Sequence, residues 1–210
     1  MIFYIKKNIN TIFFLKENKI KKILISTIKK NLLKRLNNPK KELLAKTVLN
    51  KNNDKYTIID ATGGLGIDSL ILASLGHKIK LIEKKPIIIH LIKNNLKKNK
   101  KIKTLAKNID IKYGNSIKII SSLKKKKLPD IIYIDPILPI YKKNSLPKKD
   151  ISIIKLIGSN TNEYKELFNL ALTKTKKIIV KRKIYSEFIT NKKPTYQIIG
   201  SKIRFDIYQI

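Results

Sequence analysis

Several residue types are scarce or absent in this chain, and each absence excludes a class of structure. The 210 residues contain no cysteine, so disulfide bonds and thiolate metal sites are excluded. No apolar run approaches the roughly 18 uninterrupted residues that a membrane helix needs. The amino-terminal segment also lacks the continuous apolar stretch of a secretory signal. We therefore expect a cytoplasmic protein that has no membrane partner.

Acidic residues and arginine are also scarce. The chain has 14 Asp and Glu against 48 Lys and Arg, which gives a formal net charge of +34, and its three arginines are Arg35, Arg182 and Arg204. Such a charge attracts polyanions. The lysines, however, are spread along the chain among Ile and Asn, as in proteins encoded by AT-rich genomes. The charge therefore permits a nucleic-acid partner, while a solvated lysine surface explains most of it.

Known catalytic and metal-binding signatures are missing as well. The two histidines, His77 and His90, have no Cys, His or acidic partner at metal-ligand spacing, so we interpret both as structural and expect no metal. The sequence contains no P-loop and no pattern that indicates a Ser/His/Asp triad.

From Tyr56 onward, apolar strand-like runs alternate with amphipathic segments, including a long helical region near 148–175. This alternation predicts an α/β fold with a doubly wound, mostly parallel sheet. Two strand-like runs around Gly200 and Ser201 predict a C-terminal antiparallel hairpin. We expect residues 1–50 to form a small β/helical extension and residues 51–210 to form the main domain.

The stretch TIIDATGGLGIDS, residues 57–69, predicts a buried strand, a glycine loop and a helix that begins near Asp68. Its strand ends at Asp60, and the loop contains Gly63, Gly64 and Gly66. Glycines let the backbone approach a ligand closely and adopt positive φ. The G-G-x-G spacing differs from the G-x-G-x-x-G of dinucleotide folds. The pattern predicts a ligand at the carboxyl edge of the sheet.

Polar residues follow the other predicted strands at the same edge. Glu83 ends the second strand, where a carboxylate can accept hydrogen bonds from a ribose diol. Asn115 and Ser116 follow the third strand, and they would bind a base edge or cap the next helix, with capping favoured for Ser116. Asp135, held by the turn at Pro136 after a buried strand, has the placement of a catalytic carboxylate.

Four blocks together resemble a known family. IDATGGLGIDSLILASLGHKIKLIEKKP, IIYIDPILP, KKIIVKR and RFDIY are similar, in this order, to blocks of class I S-adenosylmethionine-dependent methyltransferases. They resemble specifically the RsmJ family, which methylates the exocyclic N2 amine of a guanosine in bacterial small-subunit (16S) ribosomal RNA. The resemblance spans roughly Leu43 to Tyr208. It implies a Rossmann-like fold, S-adenosylmethionine as cofactor, and small-subunit ribosomal RNA or the assembled subunit as partner.

The resemblance also implies roles for particular residues. Asp135, with a backbone carbonyl at Pro136, would accept the N–H bonds of the amine during methyl transfer. Ile67 stands where the family tends to have arginine, so only its backbone contact carries over. The cofactor contacts implied by the resemblance are Ile67, Asp68, Glu83, Lys84, Asn115, Ser116 and Asp135. To these we add the loop residues predicted above, which are Asp60, Gly63, Gly64 and Gly66.

The implied RNA contacts include one departure from the family pattern. Leu138 occupies the family's aromatic position beside Pro139, and a leucine lacks the π face on which a base stacks. We therefore predict that Tyr141 shares the guanine contact. Lys181 and Arg182, at the end of the fifth strand, are predicted to bind RNA phosphates.

Three alternatives remain open from the sequence. The Asp-Pro block also suits an amino methyltransferase that acts on another RNA, on DNA or on a protein. A nicotinamide oxidoreductase is disfavoured by the glycine spacing. A non-catalytic ribosomal RNA-binding remnant would explain Leu138, whereas the retained Asp135 and Glu83 argue against it.

Overall fold

The computed structural model describes residues 3–5, 11–16, 19–24, 30–97, 99–136 and 161–210. The predicted substrate residues Leu138, Pro139 and Tyr141 lie outside these ranges, as does the part from 148 to 160 of the predicted helical region. Among the described helices, none has the length and apolar character needed to cross a membrane.

The described residues form ten strands and six α-helices. The strands are β1 (Phe3–Ile5), β2 (Thr11–Lys16), β3 (Lys19–Leu24), β4 (Thr57–Asp60), β5 (Lys78–Glu83), β6 (Ile109–Tyr113), β7 (Ile131–Ile134), β8 (Lys177–Lys183), β9 (Tyr196–Ile199) and β10 (Ile203–Gln209). The helices are α1 (Lys30–Asn37), α2 (Ile67–Ser74), α3 (Pro86–Lys97), α4 (Lys100–Leu105), α5 (Ser116–Ser121) and α6 (Thr161–Ala171).

Seven strands form the central sheet in the order β6-β5-β4-β7-β8-β10-β9. The strands from β6 to β8 pair in parallel, whereas β10 runs antiparallel to both β8 and β9. All four residues of β7 are buried, as expected for a central parallel strand covered on both faces. The predicted doubly wound, mostly parallel sheet and its C-terminal antiparallel hairpin are confirmed.

Helices cover both faces of this sheet, as successive residues of β4 illustrate. Ile58 belongs to a buried cluster that includes Leu70 and Leu72 of α2. Ile59 belongs to a second cluster that includes Phe168 of α6. Successive side chains of a strand point to opposite faces, so the sheet has one apolar core on each side. This packing fixes the strand ends on which the site is built.

The amino-terminal region adds a smaller sheet and a helix. β1, β2 and β3 form a three-stranded antiparallel sheet in that order. Leu32 and Leu36 of α1, together with Val48, lie in the same buried cluster as Ile58. The predicted division at residue 50 stays a prediction, but the segment from α1 to Val48 contributes to the core of the central sheet.

Candidate active site at the carboxyl edge of the sheet

Among the described residues, the polar side chains predicted to bind the cofactor or to act in catalysis lie at one edge of the sheet. The parallel strands β4, β5, β6 and β7 all end there, because their pairing keeps the same direction. Polar residues at these ends line the crevice in which doubly wound sheets bind ligands. The edge contains five of the 14 acidic residues of the chain, which are Asp60, Asp68, Glu83, Asp135 and Glu163.

The glycine loop lies directly against β5. The Gly63 N–H donates to the Ile82 carbonyl at 2.9 Å. A Cβ atom at Gly63 would lie 2.4 Å from Leu81 Cδ2 and 2.9 Å from the Ile82 oxygen, so only glycine fits this contact. Gly66, with φ of +74°, is the N-cap of α2. The loop thus turns tightly from β4 into α2 and leaves its backbone close to the ligand edge.

Asp60 is a buried carboxyl that braces this loop. It accepts hydrogen bonds from the Ser69 hydroxyl at 2.6 Å and from the Thr62 N–H at 3.2 Å. Burial raises its pKa to about 7, against the lowering effect of these two hydrogen bonds. The residue predicted as a cofactor contact therefore connects the end of β4, the loop and α2.

Glu83 lies next to the glycine loop at the end of β5. Its carboxylate accepts the Gly64 N–H at 3.0 Å and the Lys85 N–H at 2.9 Å. Burial raises its pKa, and the backbone hydrogen bonds oppose that effect. A carboxylate has about four lone-pair positions, so Glu83 retains acceptor capacity for the predicted ribose hydroxyl groups.

Glu163 belongs to the site, although the sequence analysis did not identify it. This residue of α6 forms an ion pair with Lys84, and it accepts a hydrogen bond from Asn115 Nδ2 at 3.3 Å. These contacts connect α6 to the ends of β5 and β6. The scarcity of acidic residues was the available signal, because an acidic side chain in so basic a chain usually has a specific partner.

Asn115 and Ser116 follow β6 as predicted, and the residue that caps the next helix is Asn115. Asn115 Oδ1 accepts the Lys118 N–H at 3.1 Å, so Asn115 caps α5. The Ser116 hydroxyl donates to the Ala61 carbonyl at 2.5 Å. The capping role favoured for Ser116 was wrong, because Asn115 is the N-cap and Ser116 is already the first residue of α5.

Asp135 extends from the end of β7 toward a lysine on the neighbouring strand. The Lys181 ammonium donates to Asp135 Oδ2 at 2.9 Å and to Asp68 Oδ2 at 2.7 Å. The Tyr133 hydroxyl donates to the same Asp68 oxygen at 2.7 Å. The Asp135 N–H donates to the Thr62 hydroxyl at 2.7 Å, and Pro136 is buried behind it. Hydrogen bonds thus hold both the backbone N–H and the carboxylate of Asp135, the catalytic candidate.

The charges of this cluster influence one another. Burial raises the pKa of Asp135, while Lys181 lowers it and Asp68 raises it. Burial acts against ionisation of Asp68 too, but Lys181 and the Tyr133 hydrogen bond hold its pKa below the usual value. Burial disfavours the charge of Lys181, yet the two carboxylates raise its pKa. Two carboxylates and one ammonium leave one net negative charge beside the glycine loop.

Lys181 and Arg182 were both predicted to bind RNA phosphates, and the structure gives each of them protein partners. Lys181 lies between two carboxylates, with 23% of its side chain exposed. Arg182 donates from Nε and Nη2 to the Glu187 carbonyl at 3.0 and 2.6 Å. Phosphate binding by these residues stays a prediction, while the structure places Lys181 against the Asp135 carboxylate.

The site fits a cationic nucleoside cofactor. Glu83 offers acceptors for a ribose, Gly63 and Gly64 allow close approach of the backbone, and the Asp68–Lys181–Asp135 cluster is negative in a chain of net charge +34. A sulfonium ion is favoured by such a local charge. Within the described residues, no group of three or more His, Cys, Asp or Glu side chains is arranged to hold a metal ion.

The fold and this site define a Rossmann-like class I S-adenosylmethionine-dependent methyltransferase. Residues 2–210 match the family model described as "Putative SAM-dependent methyltransferase". A solved SAM-dependent methyltransferase from Neisseria gonorrhoeae superposes with a TM-score of 0.69 at 26% identity, covering 95% of this chain and 79% of that one. S-adenosylmethionine is therefore the cofactor of this enzyme.

The curated relatives narrow this class to one family. The protein named ribosomal RNA small subunit methyltransferase J from Buchnera aphidicola subsp. Schizaphis graminum is 36% identical over 186 residues, which are 86% of this chain and 74% of that protein. The protein of the same name from Thioalkalivibrio sulfidiphilus is 33% identical over 171 residues, or 80% and 67% of the two chains. The chain belongs to the ribosomal RNA small subunit methyltransferase J family, as its sequence blocks indicated.

Proposed function

We propose that this enzyme transfers a methyl group from S-adenosylmethionine to the exocyclic N2 amine of a guanosine in small-subunit ribosomal RNA, in the cytoplasm. The names of the relatives support the RNA acceptor. The observation that carries the chemistry is Asp135, a carboxylate held at the end of a central strand beside the glycine-loop strand. Its position suits an amine acceptor, whose N–H groups need a fixed hydrogen-bond acceptor.

The reaction joins a weakly nucleophilic amine to a methyl carbon. When bound, S-adenosylmethionine supplies that carbon, and the electrons of the broken C–S bond remain on sulfur. The lone pair of the guanine N2 amine is delocalised into the ring. Asp135 accepts an N–H of the amine, orients the lone pair and stabilises the positive charge that develops on nitrogen. The amine then loses one proton, which Asp135 is placed to accept.

Lys181 supports this role by positioning Asp135. Its ammonium holds the carboxylate at 2.9 Å and favours the ionised form. Asp68 balances the ammonium, since it accepts from the same Nζ at 2.7 Å. Without that second carboxylate, the lysine would repel the positive charge of the transition state.

The test is transfer of radiolabelled methyl from S-adenosylmethionine to small ribosomal subunits that lack this modification. Naked ribosomal RNA, DNA and a protein mixture are the comparison acceptors. Asp135→Asn removes the carboxylate charge and should lower transfer by about 100-fold or more, the usual scale for a lost general base. Asp130→Asn is the matched control, because Asp130 lies at the opposite end of the same strand and accepts from the Thr57 N–H and hydroxyl.

The acceptor panel separates the remaining candidate functions. Label on guanosine N2 of subunits or their RNA supports the proposal and identifies the preferred assembly state. Label on DNA, protein or another RNA base would replace the acceptor and keep the amino methyltransferase. No label on any acceptor, from a folded protein that binds the cofactor, would favour a non-catalytic RNA-binding role.

A further inference from the structure

A loop beside the catalytic carboxylate has an unusually well-fixed backbone. It follows β8, whose pairing with β7 ends at Ile134 and Val180. β8 continues to Lys183, so it extends three residues past that last pair, supported by Ile203 of β10. The loop, residues 184–188, therefore projects above the edge at which Asp135 and Lys181 lie. We call it the β8 loop.

Arg204 of β10 fixes the first half of the β8 loop. Its Nη1 donates to the carbonyls of Lys183 at 2.9 Å and Ile184 at 2.5 Å, and its Nη2 donates to the Ser186 carbonyl at 2.7 Å. Its Nε donates to Asp206 Oδ1 at 2.8 Å, in a pair whose side chains are 6% and 0% exposed. A single buried guanidinium thus binds two carbonyls of the loop and the last carbonyl of β8.

Arg182 and Phe188 fix the second half. Arg182 donates twice to the Glu187 carbonyl, and the Arg204 guanidinium lies 5.4 Å from the Phe188 ring centroid. Arg204 donates to three carbonyls, and Arg182 donates twice to one. A lysine could not reproduce either arrangement, because only the planar guanidinium presents several donors in a fixed plane.

The use of arginine here is selective. The sequence has 48 Lys and Arg, of which three are arginine, and two of those three hold this loop. Such a chain keeps arginine where a flexible ammonium does not suffice. The β8 loop is therefore preorganised rather than fixed by general packing.

The preorganised loop presents an aromatic ring to solvent. Tyr185 is 95% exposed, the largest exposed fraction among the large hydrophobic side chains whose burial is described, which begin at residue 32. It lines a cleft of about 720 Å³ together with Phe188, Gln197, Ile199 and Arg204. Tyr185 is four positions from Lys181 in sequence, so their Cα atoms are at most about 14 Å apart along an extended chain. An exposed ring on a rigid backbone near the reacting carboxylate suits a flat, aromatic partner.

We propose that Tyr185 stacks on an unpaired RNA base that neighbours the methylated guanosine. This inference rests on the proposed function for the identity of the nucleic acid. Aromatic side chains on a positively charged protein surface bind single-stranded RNA by base stacking, and this chain has a formal net charge of +34. The contact also supplies a π face that Leu138, at the family's aromatic position, does not have.

The experiment measures RNA affinity for two substitutions of Tyr185 over a series of salt concentrations. The probes are a short fluorescent single-stranded RNA and naked small-subunit ribosomal RNA. Tyr185→Leu removes the ring and keeps apolar bulk, whereas Tyr185→Phe keeps the ring. Tyr196→Leu is the control, because Tyr196 is 40% exposed on the outermost strand β9 and is paired with Ile207, away from the β8 loop.

Stacking has a distinctive signature in this measurement. Tyr185→Leu should weaken binding by about 5-fold to about 150-fold, the range for loss of one base stack. The slope of log affinity against log salt should stay unchanged, because no phosphate contact is lost. Tyr185→Phe should bind within about twofold of the wild type if the ring face makes the contact.

Other outcomes would overturn the inference. Unchanged affinity in Tyr185→Leu would reject the contact, and so would an equal loss in Tyr185→Phe or a shallower salt slope. A loss of methyl transfer to assembled subunits with unchanged RNA affinity would indicate a protein contact instead. Melting curves and cofactor binding of each variant identify any folding defect. Ring-dependent RNA binding without methyl transfer by the wild type would retain this contact and reject the proposed function.

Discussion

At the scale of single residues, the chemistry of the site depends on a few carboxylates in a chain that is otherwise cationic. Asp135 is the carboxylate nearest to the proposed reaction, and Lys181 joins it to Asp68. Asp60 lies below them, buried and hydrogen-bonded to Ser69. The three carboxyl groups have different environments, so substitutions at each should have different consequences.

Removal of the Lys181 charge should shift the pH profile of methyl transfer. Burial raises the pKa of Asp135 and Lys181 opposes this, so Lys181→Met should raise that pKa further. Activity requires the ionised carboxylate. The acidic limb of the pH profile should therefore move to higher pH by about one unit or more. Lys181→Arg should restore much of the profile, because the charge returns. Lys183→Met, at an exposed position on the same strand, is the control.

The comparison is made on kcat across pH, at saturating cofactor and RNA. A fall in kcat that is uniform at every pH would assign Lys181 a purely structural role. The other titratable groups that face this cluster are Asp60, Asp68, Tyr133 and Arg35, and the arginine control keeps all of them in place.

Asp60→Asn should remove a pH-dependent penalty on stability. The pKa of Asp60 rises from 3.8 to about 7 on folding. Between these values the folded carboxyl keeps its proton while the unfolded one has lost it. The free energy of unfolding therefore falls as pH rises through this window and is constant above about pH 7, a loss on the order of 4 kcal/mol.

Asparagine can reproduce both hydrogen bonds, because its oxygen accepts from the Thr62 N–H and its amide donates to the Ser69 hydroxyl. Chemical denaturation of wild type and variant from about pH 4 to about pH 8 gives the free energy of unfolding at each pH. This free energy should fall with pH more steeply in the wild type than in the variant. Asp54→Asn, at an exposed position, should follow the wild type. If the free energy of unfolding depended on pH in the same way in Asp60→Asn and in the wild type, Asp60 would ionise normally.

At the scale of secondary structure elements, the glycine loop is the part most sensitive to shape. Gly63→Ala should weaken cofactor binding at least about tenfold and lower the melting temperature, because the alanine Cβ would overlap β5. Isothermal titration with S-adenosylmethionine measures the first effect and a thermal melt the second. Gly76→Ala, whose φ is +92° at the far end of α2, should lower stability alone. Normal cofactor affinity in Gly63→Ala would mean that the loop does not contact the cofactor.

Much of the sheet could be predicted because its strands are apolar runs of the right length. The runs that end at Asp60, Glu83 and Ile134 became β4, β5 and β7, and each polar residue at a strand end lies at the shared edge. Parallel strands bring such ends together whatever the strand order, so this part of the site followed from periodicity alone.

The contacts across the site could not be predicted in the same way. The ion pair of Lys181 with Asp135 depends on β8 lying next to β7, and the sequence does not specify strand order. Glu163 reaches Lys84 and Asn115 from a helix 79 and 48 positions away in sequence. No local pattern encodes such distances. The family resemblance predicted the cofactor residues, but it did not show how their side chains are held.

At the scale of the whole molecule, the net charge of +34 and the acidic edge of the sheet have opposite signs and attract different ligands. The lysine surface attracts the phosphate backbone of any nucleic acid, and the negative cluster at the site favours a cation. RNA is therefore expected to bind through the general surface and to be recognised near the site, where the β8 loop and Asp135 lie.

Binding to RNA should therefore depend strongly on salt. With about six to ten phosphate contacts, affinity falls by about 10³-fold or more between about 50 mM and about 200 mM salt. Fluorescence anisotropy with labelled RNA and with single-stranded DNA of the same length measures how the affinity for each depends on salt. The two slopes of log affinity against log salt should be similar. A nearly flat salt dependence would mean that the lysine surface is not the binding surface.

The most direct test of the account is the identity of the methylated nucleoside. Small ribosomal subunits that lack the modification are treated with the enzyme and S-adenosylmethionine, and their RNA is digested and analysed by mass spectrometry, with Asp135→Asn beside the wild type. We expect N2-methylguanosine from the wild type and a loss of about 100-fold or more in the variant. A methyl group on any other nucleoside, or equal product from Asp135→Asn, would contradict the proposed reaction.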